Sequence, residues 1–209
     1  RWLTLLLALL AAPASAGTCR DMTFENLPYT VCEVRADEDL RLFLNGPDGP
    51  FGGFAALDAH LAKTGETLGF AMNAGMFQPD LSPVGLYIEN GNEIARLITS
   101  DGPGNFGLLP NGVFCIGEGF SVIESRSFEK NRPACRHATQ SGPMLVLDGD
   151  LHPLFKPASD SLYIRNGVGV SADGGRAVAV GVRVVADGGV VSAVCIRVSV
   201  ASITRVTAA

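Results

Sequence analysis

The sequence predicts a strand-dominated α+β single domain with a mixed or antiparallel sheet and few helices. Short apolar runs recur between Gly, Asn and Asp residues, a pattern typical of strands separated by tight turns. Only one segment spaces its apolar residues as a helix does, and strands do not alternate with helices as in a βαβ fold. The chain of 209 residues is long enough for one domain with a substantial core.

The first elements are predicted to be a strand pair and a helix. Tyr29–Val34 and Leu40–Leu44 are expected to pair with each other, and the Gly- and Pro-rich segment Asn45–Gly53 is expected to be a loop. A helix is predicted over Gly53–Lys63, because its apolar residues recur at helical spacing and Gly65 follows as a stop.

The remaining elements are predicted to be strands, mostly in hairpins. Asn90-Gly91 is a strong hairpin-turn signal, and Asp-Gly turns recur later in the chain. The predicted strands are, in chain order, Leu68–Met72, Val84–Glu89, Glu93–Ile98, Val113–Gly117, Phe120–Glu124, Met144–Leu147, Leu151–Phe155, Val168–Ser171 and Arg176–Val180.

Residues 1–16 are predicted to be a cleavable secretory signal. Arg1 supplies a positive charge, Leu3–Ala12 is an apolar run, and Ala14–Ala16 has the small-residue pattern of a cleavage site. The run is shorter than the ~20 residues of a membrane span, and an uncleaved anchor is the alternative. No later segment is apolar enough to span a membrane. We therefore expect an exported bacterial protein, periplasmic or secreted, whose domain occupies residues 17–174.

Composition excludes several classes of partner. The net charge is −5 and Lys and Arg form no run, so nucleic acid is not an expected partner, because its binding depends on many phosphate contacts. The three His are scattered and no C-x-x-C is present, so we expect neither a metal site nor a cofactor. A site for one anionic group remains compatible with this composition, since a single Arg can bind it.

Five cysteines follow the predicted signal, and an oxidising compartment favours disulfides between them. The preferred pairing is Cys19–Cys32 and Cys115–Cys135, because each closes a short local loop. Cys195 is then left over. Sequence alone does not fix this connectivity.

Three segments differ from ordinary strand-and-turn sequence. Each combines a small polar side chain with glycine beside an apolar strand, where glycine permits a positive φ or the close approach of a ligand. The segments are Asn73–Phe77 with Pro83–Leu86, Gln140–Val146, and Arg165–Val170 with Asp173-Gly174. Each of them alone is also typical of a plain turn.

Taken in this order, the three segments resemble the phosphodiester glycosidase family, whose lysosomal member removes N-acetylglucosamine from mannose 6-phosphate. The resemblance runs from about Cys19 to Gly174, and Gly104–Gly107 and Asn111–Phe114 are similar to the bacterial branch. It implies cleavage of the bond between an anomeric sugar carbon and a phosphodiester oxygen. A glycosyl phosphodiester or another carbohydrate is then the expected partner.

The resemblance also implies roles for individual residues. A guanidinium can hold a phosphate bidentately, which points to Arg165, and a polar or anionic group is needed near the anomeric carbon, which points to Asn73 and Asp173. Alternatives stay open, because Arg165 can be a surface residue and Asp173 can belong to a hairpin turn. The residues expected to bind substrate are Gly75, Phe77, Gly85, Gln140, Ser141, Gly142 and Asn166.

Residues 175–209 depart from the family pattern. The segment contains eleven Val and seven Ala but no aromatic residue, Pro, Lys or Glu, and the second Asp-Gly strand of the family is missing. It is either a terminal hairpin, with strands 176–185 and 190–200, or the product of a frameshift near Gly174. We prefer the frameshift, which would leave the chain inactive or nearly so.

Two functions are compatible with these observations. The first is an exported hydrolase of glycosyl phosphodiesters. The second is a non-catalytic carbohydrate-binding or exopolysaccharide-assembly protein of the cell envelope, since a fold alone does not establish an activity.

Overall fold

The structure, a computed structural model, describes residues 19–155, 166–182 and 193–196. In these ranges the protein is mostly strand, and every strand pair is antiparallel, which confirms the strand-dominated prediction. The strands are β1 (Cys19–Phe24), β2 (Leu27–Arg35), β3 (Leu40–Phe43), β4 (Asn45–Gly46), β5 (Gly49–Pro50), β6 (Phe70–Asn73), β7 (Tyr87–Glu89), β8 (Asn92–Ala95), β9 (Gly112–Ile116), β10 (Phe120–Glu124), β11 (His137–Ser141), β12 (Val146–Leu147), β13 (Asp150–Leu151), β14 (Asn166–Val170), β15 (Arg176–Val182) and β16 (Ala193–Ile196).

Three sheets form the body of the domain. They have the strand orders β1-β2-β15-β14, β10-β9-β11-β7-β8 and β3-β16-β6, and β4-β5 and β12-β13 are short separate hairpins. The predicted hairpins β7-β8, β9-β10 and β14-β15 are all present. In the first of them Asn90 and Gly91 both have positive φ, 51° and 78°, as a type I′ turn requires.

Two helices lie in the described ranges. The predicted one is α1 (Phe54–Ala62), which buries Leu57 and Leu61 in a small aromatic cluster beside β3. The second, α2 (Ser125–Asn131), was not predicted. Its N-terminus is capped by the Glu124 carboxylate, which accepts hydrogen bonds from two backbone N–H groups, and Phe128 anchors it to the five-stranded sheet. Neither helix is long and apolar enough to cross a membrane.

The main core lies between the four-stranded sheet and the five-stranded sheet, with β3 contributing to it. It contains twelve buried residues, and the list is Cys32, Val34, Leu40, Leu42, Leu44, Ala74, Tyr87, Phe114, Ile116, Phe120, Ala177 and Ala179. A second cluster fills the space between the other face of the five-stranded sheet and α2. The five-stranded sheet is therefore covered on both faces, which explains the nearly continuous apolar sequence of β9.

Both predicted disulfides are confirmed. The sulfur atoms are 2.00 Å apart in Cys19–Cys32 and 1.98 Å apart in Cys115–Cys135. The first bond joins β1 to β2, and the second joins β9 to the segment that precedes β11. Cys195 lies in β16, opposite Arg41 and Ala71, and the pairing state of its thiol lies outside what the structure describes.

Two predicted pairings are wrong. β2 and β3 do not pair with each other, because β15 lies next to β2 and β16 lies next to β3. The described parts of the tail do not form a terminal hairpin either, because β15 and β16 belong to different sheets. Both errors have the same cause, since strands near in sequence were expected to be neighbours, whereas these strands pair with partners far along the chain.

Candidate functional site

A pocket lies where the end of β6 meets β11. Its walls come from three places in the sequence: the segment after β6, the segment that leads into β7, and the second half of β11. The lining residues are Ala74, Gly75, Met76, Pro83, Tyr87, Thr139 and Gln140. The first two sequence motifs therefore meet at this pocket, although more than sixty residues separate Ala74 from Thr139.

Gly75 packs tightly against β11. A Cβ atom at this position would lie 2.9 Å from Thr139 Oγ1 and 3.1 Å from the carbonyl oxygen of Gln140. The same two segments are also joined by a hydrogen bond from Thr139 Oγ1 to the carbonyl oxygen of Ala74, at 2.5 Å. Glycine is needed here because a side chain would push the two walls apart.

The third motif reaches the same place through Asn166. Its Nδ2 atom donates a hydrogen bond of 3.3 Å to the carbonyl oxygen of Asn73, which links the start of β14 to the end of β6. The side-chain amide of Asn73 makes no hydrogen bond to any residue in the described ranges, and Asn73 is half-buried and directly precedes the lining residue Ala74. It can therefore offer both a donor and an acceptor to a ligand.

Other predicted site residues lie nearby or outside the described ranges. Arg165 precedes Asn166 in sequence but lies outside the described residues. Ser141 ends β11 opposite Gly112 and is half-buried. Phe77 forms an isolated bridge with Pro83 and is also half-buried. The roles predicted for these residues remain predictions.

The side-chain amide of Gln140 is engaged by the fold, and its predicted contact with substrate stays a prediction. Its Oε1 atom accepts hydrogen bonds from the N–H groups of Leu86 and Ile98, at 3.1 Å and 3.0 Å. Its Nε2 atom donates to the carbonyl oxygen of Ile98 and to Ser125 Oγ, at 2.5 Å and 2.8 Å. Gln140 is 2% exposed, and these four hydrogen bonds engage its amide fully.

Gly85 and Gly142 are also packing positions and not open ligand contacts. A Cβ atom on Gly85 would lie 2.6 Å from both Gln140 Oε1 and the Phe106 ring. A Cβ atom on Gly142 would lie 1.7 Å from Asn111 Oδ1, an atom that is buried and has no hydrogen-bond donor. Each glycine therefore makes room for a buried amide, which explains its place in the sequence better than the expected contact with substrate does.

Asp173 does not join the pocket. It lies in the turn between β14 and β15, where its Oδ1 atom accepts hydrogen bonds from Ser171 Oγ at 2.5 Å and from the N–H of Gly175 at 3.0 Å. These bonds lower the pKa of the exposed carboxyl group, and the bond from the Ser171 hydroxyl has the largest effect. The length of β14, roughly 13 Å at about 3.3 Å per residue, separates this turn from Asn166. The turn alternative describes this position, and the pocket gives no support to the catalytic role predicted for Asp173.

A carboxyl group close to the pocket was missed by the sequence analysis. Tyr87 lines the pocket and donates a hydrogen bond to Glu89 Oε2 at 3.2 Å, and the N–H of Leu44 donates to the same oxygen at 3.1 Å. Burial raises the pKa of Glu89, and burial together with the neighbouring Glu89 carboxyl raises that of Tyr87. Tyr87 and Glu89 are alternate positions of β7 and therefore share a face of the strand. This spacing is the only feature of the sequence that indicates their contact.

The described residues include no group of three or more His, Cys, Asp or Glu side chains that could hold a metal ion. The pocket itself is lined by uncharged residues. Its polar character comes from backbone groups, from the Thr139 hydroxyl and from the adjacent Asn73 amide. This arrangement suits a neutral, hydroxyl-rich ligand group better than an isolated charge.

Comparisons with known proteins cover the segments that form this pocket. A family model described as phosphodiester glycosidase matches residues 66–201, which include every lining residue of the pocket and Asn166. The chain is also similar to the uncharacterized protein YigE of Escherichia coli (strain K12), with 34% identity over 171 residues. That alignment covers 81% of this chain and 66% of YigE, so the chain spans just under two thirds of this relative.

Proposed function

Because the chain belongs to the phosphodiester glycosidase family, we propose that it hydrolyses glycosyl phosphodiesters at the bond between the anomeric carbon and the phosphate oxygen. The observation that carries the proposal is the meeting of three motif segments at one place. Ala74 and Gly75 meet Thr139 at the pocket, and Asn166 binds the backbone carbonyl of Asn73 beside it, although these residues come from separate parts of the chain. Segments that were ordinary turns would have no reason to converge.

The chemistry of the bond fits a site with few charged groups. Water attacks the anomeric carbon, the bond from this carbon to the phosphate oxygen breaks, and the phosphate monoester leaves with the electron pair while the water proton passes to solvent. The leaving group is stable at neutral pH because its last pKa is ~6. It does not need the carboxylic acid that protonates an alkoxide in ordinary glycosidases.

We assign three tasks to residues of this chain. The Asn73 amide binds the sugar beside the anomeric carbon, and the N–H groups around Gly75 bind phosphate or ring oxygens. Arg165 holds the phosphate, since a guanidinium can bind two of its oxygens at once. Its position in sequence, next to Asn166, supports this assignment because Asn166 contacts Asn73.

The test is an assay of the full chain with an N-acetylglucosamine phosphodiester, with release of free sugar as the readout. We expect turnover by the wild type and its loss in Arg165→Ala. Arg126→Ala, which removes an exposed guanidinium from α2, is the matched control and should retain turnover. Absence of free sugar from this and other glycosyl phosphodiesters would contradict the proposed activity.

A non-catalytic carbohydrate-binding or exopolysaccharide-assembly role is the second candidate. It is favoured by one observation, namely that no carboxylate lines the pocket. Binding of the wild type to a glycan array, without release of sugar from any bound phosphodiester, would support this role over hydrolysis. Loss of that binding in Asn73→Ala would locate it at the same pocket.

We further propose that the protein is exported, into the periplasm or out of the cell. The two disulfides support an oxidising compartment, and the pattern of residues 1–16 supports a cleaved signal. Mass spectrometry of the protein purified from a cell-envelope or culture fraction should find an N-terminus at Gly17. A cytoplasmic, reduced protein with residues 1–16 intact would contradict export.

The origin of the tail bears on activity. β15 lies inside its sheet, between β2 and β14, and buries Ala177 and Ala179 in the core, which supports residues up to Val182 as part of the domain. β16 likewise lies inside its sheet, between β3 and β6, and the family match runs to residue 201, so we propose that the tail is native and withdraw the frameshift near Gly174. The coding DNA read in three frames tests this, because a second Asp-Gly strand resuming in another frame would contradict a native tail and its absence from all frames would support one.

A further inference from the structure

One hydrogen bond joins the two walls of the pocket. Thr139 Oγ1 donates to the carbonyl oxygen of Ala74 at 2.5 Å, across 65 residues of sequence. Both residues are buried, with exposed fractions of 8% and 7%. A hydrogen bond in such a dry setting is strong and directional, and its loss leaves a buried carbonyl without a donor.

The two walls belong to different sheets. β6 is at the edge of the three-stranded sheet and β11 is in the middle of the five-stranded sheet, and no strand ladder joins the two among the described residues. Their relative position at the pocket therefore depends on side-chain contacts. The Thr139 hydroxyl and the close approach of Gly75 to β11 are the contacts found there.

The hydroxyl of Thr139 is not required by β11 itself. On the other face of this strand, Ala138 packs in an apolar cluster and Gln140 is held by its own hydrogen bonds. A valine at position 139 would have nearly the same shape and the same strand preference. What it would lack is the donor to Ala74, so the hydroxyl serves this one contact.

The carbonyl of Ala74 lies between the two groups assigned to the substrate. Its orientation fixes the peptide plane that ends in the N–H of Gly75, and it limits the rotation of the chain that carries the Asn73 side chain. We propose that Thr139 is a positioning residue that holds Asn73 and the Gly75 N–H in place for the sugar–phosphate group. The inference rests on the proposed function for its catalytic consequence, but the positioning itself can be measured without activity.

The experiment compares three variants of the full chain. Thr139→Val removes the hydroxyl, Thr139→Ser keeps it, and Ser125→Ala removes a buried hydroxyl that faces the other side of β11. We expect Thr139→Val to lower kcat by about tenfold or more with a smaller change in KM, since small misplacements of reacting groups are costly. Thr139→Ser should restore most of kcat, and Ser125→Ala should lower the unfolding temperature without a comparable loss of kcat.

Amide hydrogen exchange supplies the readout that is independent of turnover. Thr139→Val should speed exchange selectively in residues 73–76, and Thr139→Ser should return it toward the wild-type rate. Exchange in 73–76 that is unchanged in Thr139→Val, or a serine variant as impaired as the valine variant, would overturn the inference. A wild type inactive on every phosphodiester would defeat the proposed function, while the exchange data would still decide whether Thr139 positions this segment.

Discussion

The two ends of β14 look alike in sequence and differ in what surrounds them. At one end, Asn166 reaches another sheet and binds the backbone of Asn73. At the other end, Asp173 satisfies its own turn through Ser171 and Gly175. Both ends combine a polar side chain with glycine, so the local pattern does not distinguish a candidate site from a turn. The difference arises from the neighbouring sheet, which offers the backbone carbonyl of Asn73 to Asn166.

The largest effect that tests this comparison is on turnover. Asn73→Ala should lower kcat by roughly 10²–10³-fold, because it removes a preorganised polar group beside the anomeric carbon, where positive charge builds in the transition state. Asp173→Ala should leave kcat within about twofold of the wild type, since an exposed turn residue lies far from the chemistry. Steady-state kinetics on a glycosyl phosphodiester measures both. The opposite ranking would return the catalytic role to Asp173.

The next effect separates packed glycines from open ones. Gly142→Ala should cost about 1–3 kcal/mol of the free energy of unfolding, because its methyl group would overlap Asn111 Oδ1. Gly169→Ala in β14 has no atom within 4 Å of the added carbon, so its stability should equal or slightly exceed that of the wild type. Urea unfolding of the two variants is the measurement. Equal stability of both would show that the segment beside Asn111 is not closely packed.

A smaller effect is expected at the Asn166 end of β14. Asn166→Ala removes one exposed hydrogen bond to the carbonyl of Asn73, which is worth about 0.5–1.5 kcal/mol. We expect kcat to fall by up to about tenfold, as 1.4 kcal/mol corresponds to a factor of ten. Asn166→Asp, which keeps the shape but not the donor, is the control and should behave like the alanine variant. Full activity of both would show that the bond is dispensable.

The smallest effect concerns acid stability at the Asp173 end. The pKa of this carboxyl group is lowered in the folded protein, mainly by the Ser171 hydroxyl, so its stabilising contribution is present above its unfolded value near 3.8 and is lost as pH falls through the lower folded value. Asp173→Asn should therefore show a weaker loss of stability than the wild type between about pH 4 and pH 2. Thermal unfolding across this range measures it. Parallel curves would mean that the turn contacts do not persist in solution.

Much of the fold could be predicted from local sequence patterns. The wrong predictions concern strands that pair with partners far away in the chain. Asn90-Gly91 specifies its hairpin within two residues, and the helical spacing of Leu57 and Leu61 specifies α1. The position of β15 beside β2 depends on contacts across most of the chain, which no local pattern encodes. The short helix α2 was missed because it buries one large apolar residue, Phe128, and begins with a Glu cap.

The candidate site shows the same division. The motif segments around Asn73 and Gly75 were found because glycine beside a polar residue is visible in sequence. Thr139 was missed because a single threonine in a strand carries no such signal until its partner, Ala74, is known. Gln140 was assigned to the substrate because its four hydrogen bonds, all to residues at least fifteen positions away, are invisible in the sequence.

The placement of β15 also constrains the order of events during synthesis. Arg35 at the end of β2 lies opposite Arg176, so one edge of β2 stays unpaired until β15 has been synthesised. The same holds for β3, whose neighbour in the sheet is β16. Contacts this distant in sequence form slowly, because a long loop must close before they stabilise anything. A nascent chain of this protein therefore completes neither of these two sheets until β15 and β16 have been synthesised.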